Sequence, residues 1–224
     1  MAELRLDISI SLDGYVAGPD PSEENPLGIG GEQLHEWALP LEAWRGPHGL
    51  EGGEVNRSSE VMEETQANLG ATVMGRNMFG GEGSWDAKPW EGWWGDEPPF
   101  HMPVFVITHH DREPLVKDGG TTFTFVTDGI ESAFAQAEEA AGGKDIGLAG
   151  GADVAQQFLR AEARRRDAAA RRAGAPRRRH AAARQPRGRE PRARVHSRAC
   201  RPGCDPPEVP GREVTGRYAY GPGC

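Results

Sequence analysis

The last leucine of the chain is Leu159, and residues 160–224 contain no Leu, Ile, Phe, Met, Trp or Lys at all. This break sets the limit of what can fold around an apolar core. Beyond it Ala, Arg, Gly and Pro dominate, as in the run RRRDAAARRAGAPRRRHAAARQPRGREPRAR from Arg164 to Arg194. The charge changes at the same place. Residues 1–159 carry 28 acidic and 8 basic side chains, residues 160–224 carry 6 and 18, and the whole chain has a net charge of -8. A segment of the second kind cannot bury enough apolar surface to offset the entropy of ordering it. Residues 160–224 are therefore expected to be a disordered basic tail, and residues 1–159 a single domain large enough for a core.

The three cysteines, Cys200, Cys204 and Cys224, all lie in the tail. One Cys-x3-Cys pair without a second pair or well-spaced histidines makes a poor zinc site, so neither a metal centre nor a disulfide framework is expected. The opening MAELRLDISISLDG has no basic and apolar leader pattern, and no apolar run reaches membrane-spanning length. A cytoplasmic protein without a membrane partner is the expectation.

Within residues 1–159, LRLDISISLDG sets Leu4, Leu6, Ile8, Ile10 and Leu12 against polar neighbours, which predicts a first strand ended by Asp13-Gly14. SSEVMEETQANLG predicts a helix with Ser58 or Ser59 as N-cap and Gly70 as its stop. ATVMG, PVFVIT and TTFTFVT read as short buried strands. IESAFAQAEEAAGG spaces Ile130, Ala133, Phe134, Ala137 and Ala141 along one helical face, DIGLAGG reads as another strand, and ADVAQQFLRA starts a last helix. Such alternation predicts an α/β sheet with crossover connections. The long Gly-rich, Trp-bearing segments 19–57 and 80–103 are expected to cover a site or to be disordered.

Open α/β sheets bind ligands beyond the carboxyl ends of their parallel strands. Three such ends carry polar chemistry. LAGGADV runs from a strand through Gly150 and Gly151 into a helix beginning near Ala152, so that backbone N–H groups can approach a pyrophosphate. TVMGRNMF ends a strand at Gly75 and puts the Arg76 guanidinium at the next turn, and VITHH ends at Thr108 with His109 and His110 behind it. Together they offer a hydroxyl, a cation and two helix N-termini to a phosphate-rich cofactor. Taken singly, each has a plain reading as turn geometry or a solvated surface residue. In SWDAKPWEGWWGDEPPFHMP, Trp85, Trp90, Trp93 and Trp94 can wall a pocket or pack the loop onto the body, with Trp93 and Trp94 the candidates for stacking on a flat substrate.

The succession ISLDG, TVMGRNMF, VFVITHH and LAGGADV resembles the dihydrofolate reductase-like superfamily, most closely the reductase half of the bifunctional riboflavin deaminase-reductase and its stand-alone relatives. The resemblance covers residues 1 to about 160. It implies a mixed, mostly parallel sheet with flanking helices, and NADPH-dependent reduction of a small heterocyclic substrate. It assigns Gly75 and Arg76 to the cofactor phosphates, Thr108 and His109 to the adenosine side, and Gly150, Gly151 and Ala152 to the pyrophosphate. A cation near the adenosine ribose would select the 2′-phosphate and hence NADP over NAD. Ser11 and Asp13 would stand nearest substrate and nicotinamide as the candidate catalytic pair, with a simple Asp-Gly turn as the alternative.

Relatives continue beyond the late helix into further apolar strands, which are missing here. A one-base frameshift near residues 160–164 accounts for this: permitted codons for Arg165–Arg177, read in the shifted frame, allow DEMQLHVVPVLLG, and Pro202–Gly211 allow PGVTHLKYRV. Loss of those strands would leave Leu4–Leu12 an unpaired edge, with weak stability and aggregation as consequences. The alternatives are a nucleic-acid-binding protein acting through the arginines, disfavoured by the absence of lysine and of interleaved aromatics, and an inactive remnant. A homodimer is left open.

Overall fold

The computed structural model describes residues 3–81, 83, 85 and 89–172, with side-chain surroundings up to residue 162. The chain divides into two compact units, of which the first takes in residues 1–166 and the second begins at Asp167. All that follows concerns the first. The arginine-rich run beyond Arg172, the three cysteines and the shifted-frame reading of residues 173–224 lie outside the described residues.

Among the described residues six strands form one sheet: β1 (Leu4–Leu6), β2 (Leu69–Gly75), β3 (Pro103–Ile107), β4 (Leu115–Val116), β5 (Thr122–Val126) and β6 (Asp145–Gly150). Their order is β1-β6-β2-β3-β5-β4, with β4 antiparallel to β5 and every other pairing parallel. The helices are α1 (Glu42–Arg45), α2 (Arg57–Gln66), α3 (Arg76–Phe79), α4 (Ile130–Ala141) and α5 (Ala152–Arg172). The expected mostly parallel α/β sheet with flanking helices is thus present.

Period-two alternation sends side chains of the central strands to opposite faces. On one face Val73, Phe105, Ile146 and Leu148 are buried with Ala133 and Ala137 of α4 and Val154 and Phe158 of α5. On the other, Met74, Val104, Val106, Phe123 and Phe125 are buried with Phe79 and Trp85. A third, smaller cluster of Ala38, Leu41, Ala43 and Met62 joins the long N-terminal segment to α2. The small alanines of α4 let that helix lie close to the sheet, and burial of this kind, about 25 cal/mol per Å² of apolar surface, is what holds the layers together.

Four expectations are corrected. The first strand stops at Leu6, because only its pairing with Ile146–Leu148 of β6 supports it and, among the described residues, the other edge has no neighbour; Ile10 is 61% exposed. The N-cap of α2 is Asn56, whose side chain accepts from the backbone N–H groups of Ser58 and Ser59 at 2.9 and 3.2 Å. That helix ends at Gln66, and Gly70 belongs to β2, where a side chain would collide with the Ala141 carbonyl at 2.6 Å. Finally, α5 continues past Leu159 to Arg172. Alanine and arginine are strong helix formers, so a composition that cannot build a core can still prolong a helix nucleated by the packing of Val154 and Phe158.

Among the described residues no helix is long and apolar enough to cross a membrane.

Candidate functional site

The adjacency of β6, β2 and β3 brings their three carboxyl ends side by side, with Met74 opposite Gly150 and Gly75 opposite Ile107. These ends open into a cleft of about 1020 Å³. Gly75, Arg76, Thr108, His109, Gly151 and Ala152 all line it, as do Trp93 and Trp94. Gly150 lies just behind the lining, buried and joined to Gly151 by a cis peptide bond.

Close backbone approach explains the glycine at the end of β2. A Cβ on Gly75 would stand 2.8 Å from Val154 Cγ2 and 3.6 Å from the Gly150 carbonyl oxygen. The strand can therefore end against the start of α5 only without a side chain. The first backbone N–H groups of α5 have no carbonyl partner within the helix, and Gly151 and Ala152 bring this helix start to the cleft wall.

Arg76 is held from several sides. Its Nη1 donates to the Gly80 carbonyl at 2.5 Å and its Nη2 to the Gly83 carbonyl at 2.9 Å, while the guanidinium lies 4.1 Å from the Trp85 ring centre. Among the described residues its buried Nε has no hydrogen-bond partner. Burial lowers its pKa from the ordinary value, the sign of a cation that has given up part of its hydration. Thr108 is buried, and its hydroxyl accepts from the His110 N–H at 3.1 Å, which folds the two histidines back over the end of β3. His109 itself is exposed at the cleft.

The tryptophans serve α3. Its closing carbonyls are taken up one by one: Met78 accepts from Trp93 Nε1 at 3.0 Å, Phe79 from Trp90 Nε1 at 2.8 Å, and Gly80 from Trp85 Nε1 at 3.2 Å. Helix ends leave such carbonyls unsatisfied unless something caps them. Trp94 stacks on Phe123 with ring centres 5.9 Å apart and meets Phe100 edge-on at 4.9 Å. Trp93 and Trp94 thus pack the loop to the body and also line the cleft.

Ser11 and Asp13 are not brought to this place. The Ser11 hydroxyl donates to Asp13 Oδ1 at 2.6 Å and accepts from the Tyr15 N–H at 2.9 Å, while the Gly14 N–H donates to the Ser11 carbonyl at 2.9 Å. They form a closed, exposed turn outside the cleft lining, which is the plain turn reading of Asp-Gly.

Another part of the lining was not legible beforehand. It comes from the 17–66 segment, with His35, Trp44, His48 and Met62 among its residues, and from His101. Trp44 and His48 stack at 4.7 Å, and His48 Nδ1 meets the Trp44 carbonyl at 2.7 Å. Burial, opposed in part by the Gly31 carbonyl, lowers the pKa of His35 and favours its neutral ring. The one advance signal was the length of the segment, since its residues follow no period.

The result is a cleft with a glycine-lined, partly cationic floor at three parallel strand ends and aromatic side chains in its lining. No curated protein matches the chain. Residues 2–163 match the RibD C-terminal domain, and the chain accordingly belongs to that family of NAD(P)H-dependent reductases, with the dihydrofolate reductase-like fold seen here.

Proposed function

We propose that the cleft binds NADPH along the ends of β6, β2 and β3 and presents it to a small heterocyclic substrate, of the 5-amino-6-ribosylamino-uracil phosphate or dihydrofolate type, held between the aromatic walls. The observation that carries this reading is the convergence of Gly75, Arg76, Thr108, His109, Gly151 and Ala152 on one cleft from three neighbouring strand ends. The donor set suits such a ligand. Gly75 leaves the floor open, the start of α5 offers N–H groups to a pyrophosphate, and the partly dehydrated Arg76 with its unpartnered Nε gains most from a phosphate oxygen.

The cofactor would supply the hydride. The protein's part is to hold and orient. Thr108 fixes the His109–His110 turn beside the cofactor, and Trp93 and Trp94, anchored through α3 and Phe123, exclude water from the face on which substrate would lie. Ser11 and Asp13 enter this reading only as a turn near the end of the first strand.

Titration of the full chain with NADPH and with NADH, followed by tryptophan emission, tests the reading. Saturable quenching is expected with both, and NADPH should bind roughly tenfold or more tightly, the worth of one charge-assisted contact. Arg76→Met should reduce that preference. Absence of quenching with either nucleotide would refute the proposal.

A further inference from the structure

The imidazole of His48 is held in one orientation and in one pattern of protonation. Its Nδ1 lies 2.7 Å from the Trp44 carbonyl oxygen, and its plane stacks on the Trp44 indole with ring centres 4.7 Å apart and 22° between the planes. A carbonyl oxygen carries no hydrogen, so at that distance Nδ1 is the donor. In the neutral ring the other nitrogen then keeps its lone pair. Nε2 is therefore an acceptor, and among the described residues no hydrogen bond engages it.

The backbone around the ring is fixed as well. His48 closes the 3-10 turn Gly46–His48, and the Gly49 N–H returns to the Gly46 carbonyl at 2.9 Å. Arg45 pins the residues that follow, donating from Nε to the Gly52 carbonyl at 2.8 Å and from Nη2 to the Glu51 carbonyl at 3.0 Å. His101 reaches the Pro47 carbonyl through Nε2 at 3.4 Å and the Gly119 carbonyl through Nδ1 at 2.9 Å, which ties the turn to the connection between β4 and β5. A side chain ordered in this way before a ligand arrives has little rotamer freedom left to lose on binding.

His48 is exposed, and it lines the same cleft as Gly75 and Arg76. Its chemistry is the reverse of theirs. Arg76 and the backbone N–H groups at the start of α5 are donors and suit anionic oxygens. A bare imidazole nitrogen repels such an oxygen and accepts from an N–H or O–H group. The Trp44 ring beside it adds apolar surface on which a flat ligand can rest.

Resting on the reading of the cleft as a reductase site, we infer that His48 is a specificity residue for the substrate. Its Nε2 accepts a hydrogen bond from a ring N–H or an exocyclic amine of the heterocycle, so that the substrate presents a neutral donor edge at this point and not its anionic end. Aminopyrimidines and pterins both carry such an edge.

Nitrogen NMR of the full chain labelled with 15N-histidine reads the ring directly, with the His48 signals assigned by their loss in His48→Gln. In mildly alkaline buffer, where imidazoles are neutral, Nε2 should show the shift of a bare nitrogen and Nδ1 that of an N–H. The probes are 5,6-diaminouracil and dihydrofolate, each titrated with and without saturating NADP+. At least one should move the Nε2 resonance while Nδ1 keeps its N–H shift. His48→Phe leaves a ring to pack on Trp44 but no acceptor, and should weaken that probe roughly five- to tenfold, the worth of one hydrogen bond. His48→Gln, whose amide oxygen can stand where Nε2 stands, should recover most of the loss. Quenching by NADPH should be the same in all three proteins, so a failure of cofactor binding is told apart from a failure of the His48 contact. A protonated Nε2 with a bare Nδ1 in the free chain would overturn the inference. So would an Nε2 resonance that neither probe moves, or an affinity that His48→Phe leaves unchanged.

Discussion

Alanine at position 80 is the substitution that bears hardest on the aromatic wall. Gly80 has φ 89° and ψ -165°, a backbone region in which a residue with a side chain costs about 1–3 kcal/mol. Space adds a second penalty. A Cβ there would lie 2.4 Å from both Cε2 and Cζ2 of Trp93, so the indole must move, at about 1–3 kcal/mol for overpacking. Moving it also breaks the 3.0 Å bond from Trp93 Nε1 to the Met78 carbonyl, worth about 1 kcal/mol. The expected loss is therefore roughly 3–7 kcal/mol, a large share of a typical domain's stability. Urea unfolding followed by far-UV circular dichroism measures it, with tryptophan emission reporting exposure of the ring. Gly142→Ala provides the comparison: φ is 58°, nothing stands within 4 Å of the added carbon, and about 1 kcal/mol is expected. Equal losses for the two variants would refute the claim that the Gly80 backbone and the Trp93 ring fit each other tightly.

Two further outcomes follow from the same structure. Asp145 accepts from the Glu3 N–H at 2.9 Å and from Asn68 Nδ2 at 3.1 Å and pairs with Arg5 at 2.5 Å, and these contacts, the Glu3 N–H foremost, hold its carboxyl below the usual carboxylate range. Because the folded pKa is depressed, this contribution is complete above the unfolded value of about 3.9 and is lost as pH falls through the folded one, so urea midpoints should drop more steeply below about pH 4 than in Asp145→Asn. Asn56→Ala removes the acceptor of two N–H groups at the start of α2 and should cost about 1 kcal/mol by thermal or urea unfolding; no measurable loss would mean that Ser58 or Ser59 can take over the cap.

The elements that the sequence announces are those whose residues are chosen by burial. β2, β3, β5 and β6 are short apolar runs between glycines and prolines, and α4 keeps Ala133, Ala137 and Ala141 on one face, because both are pressed against a core from which water is excluded. The floor of the cleft was legible for a related reason: Gly75 and Gly151 sit where a strand passes into a helix, a junction with its own composition. The part of its lining from His35, Trp44 and His48 was not, since these come from a segment of local turns, the single-turn α1 and small 3-10 stretches, too short to show a period. Alternation in residues 4–12 states a capacity for strand formation, and only a neighbour realises it; among the described residues one exists for Leu4–Leu6 and none for the rest. Ser-x-Asp-Gly is compatible with a proton-handling pair and with a turn, and residue types alone cannot separate the two.

The capping of α3 by three indoles has a bearing on how a substrate would be chosen. A connection as long as that between α3 and β3 is the kind of segment that elsewhere swings over a bound ligand and is released with the product. Here Met78, Phe79 and Gly80 each hold a different ring by its only donor, and Trp94 is clasped between Phe100 and Phe123. To hinge outward, Trp85, Trp90 and Trp93 would have to give up those bonds together. On the function proposed above, these contacts would favour selection on that side by fit to a standing wall.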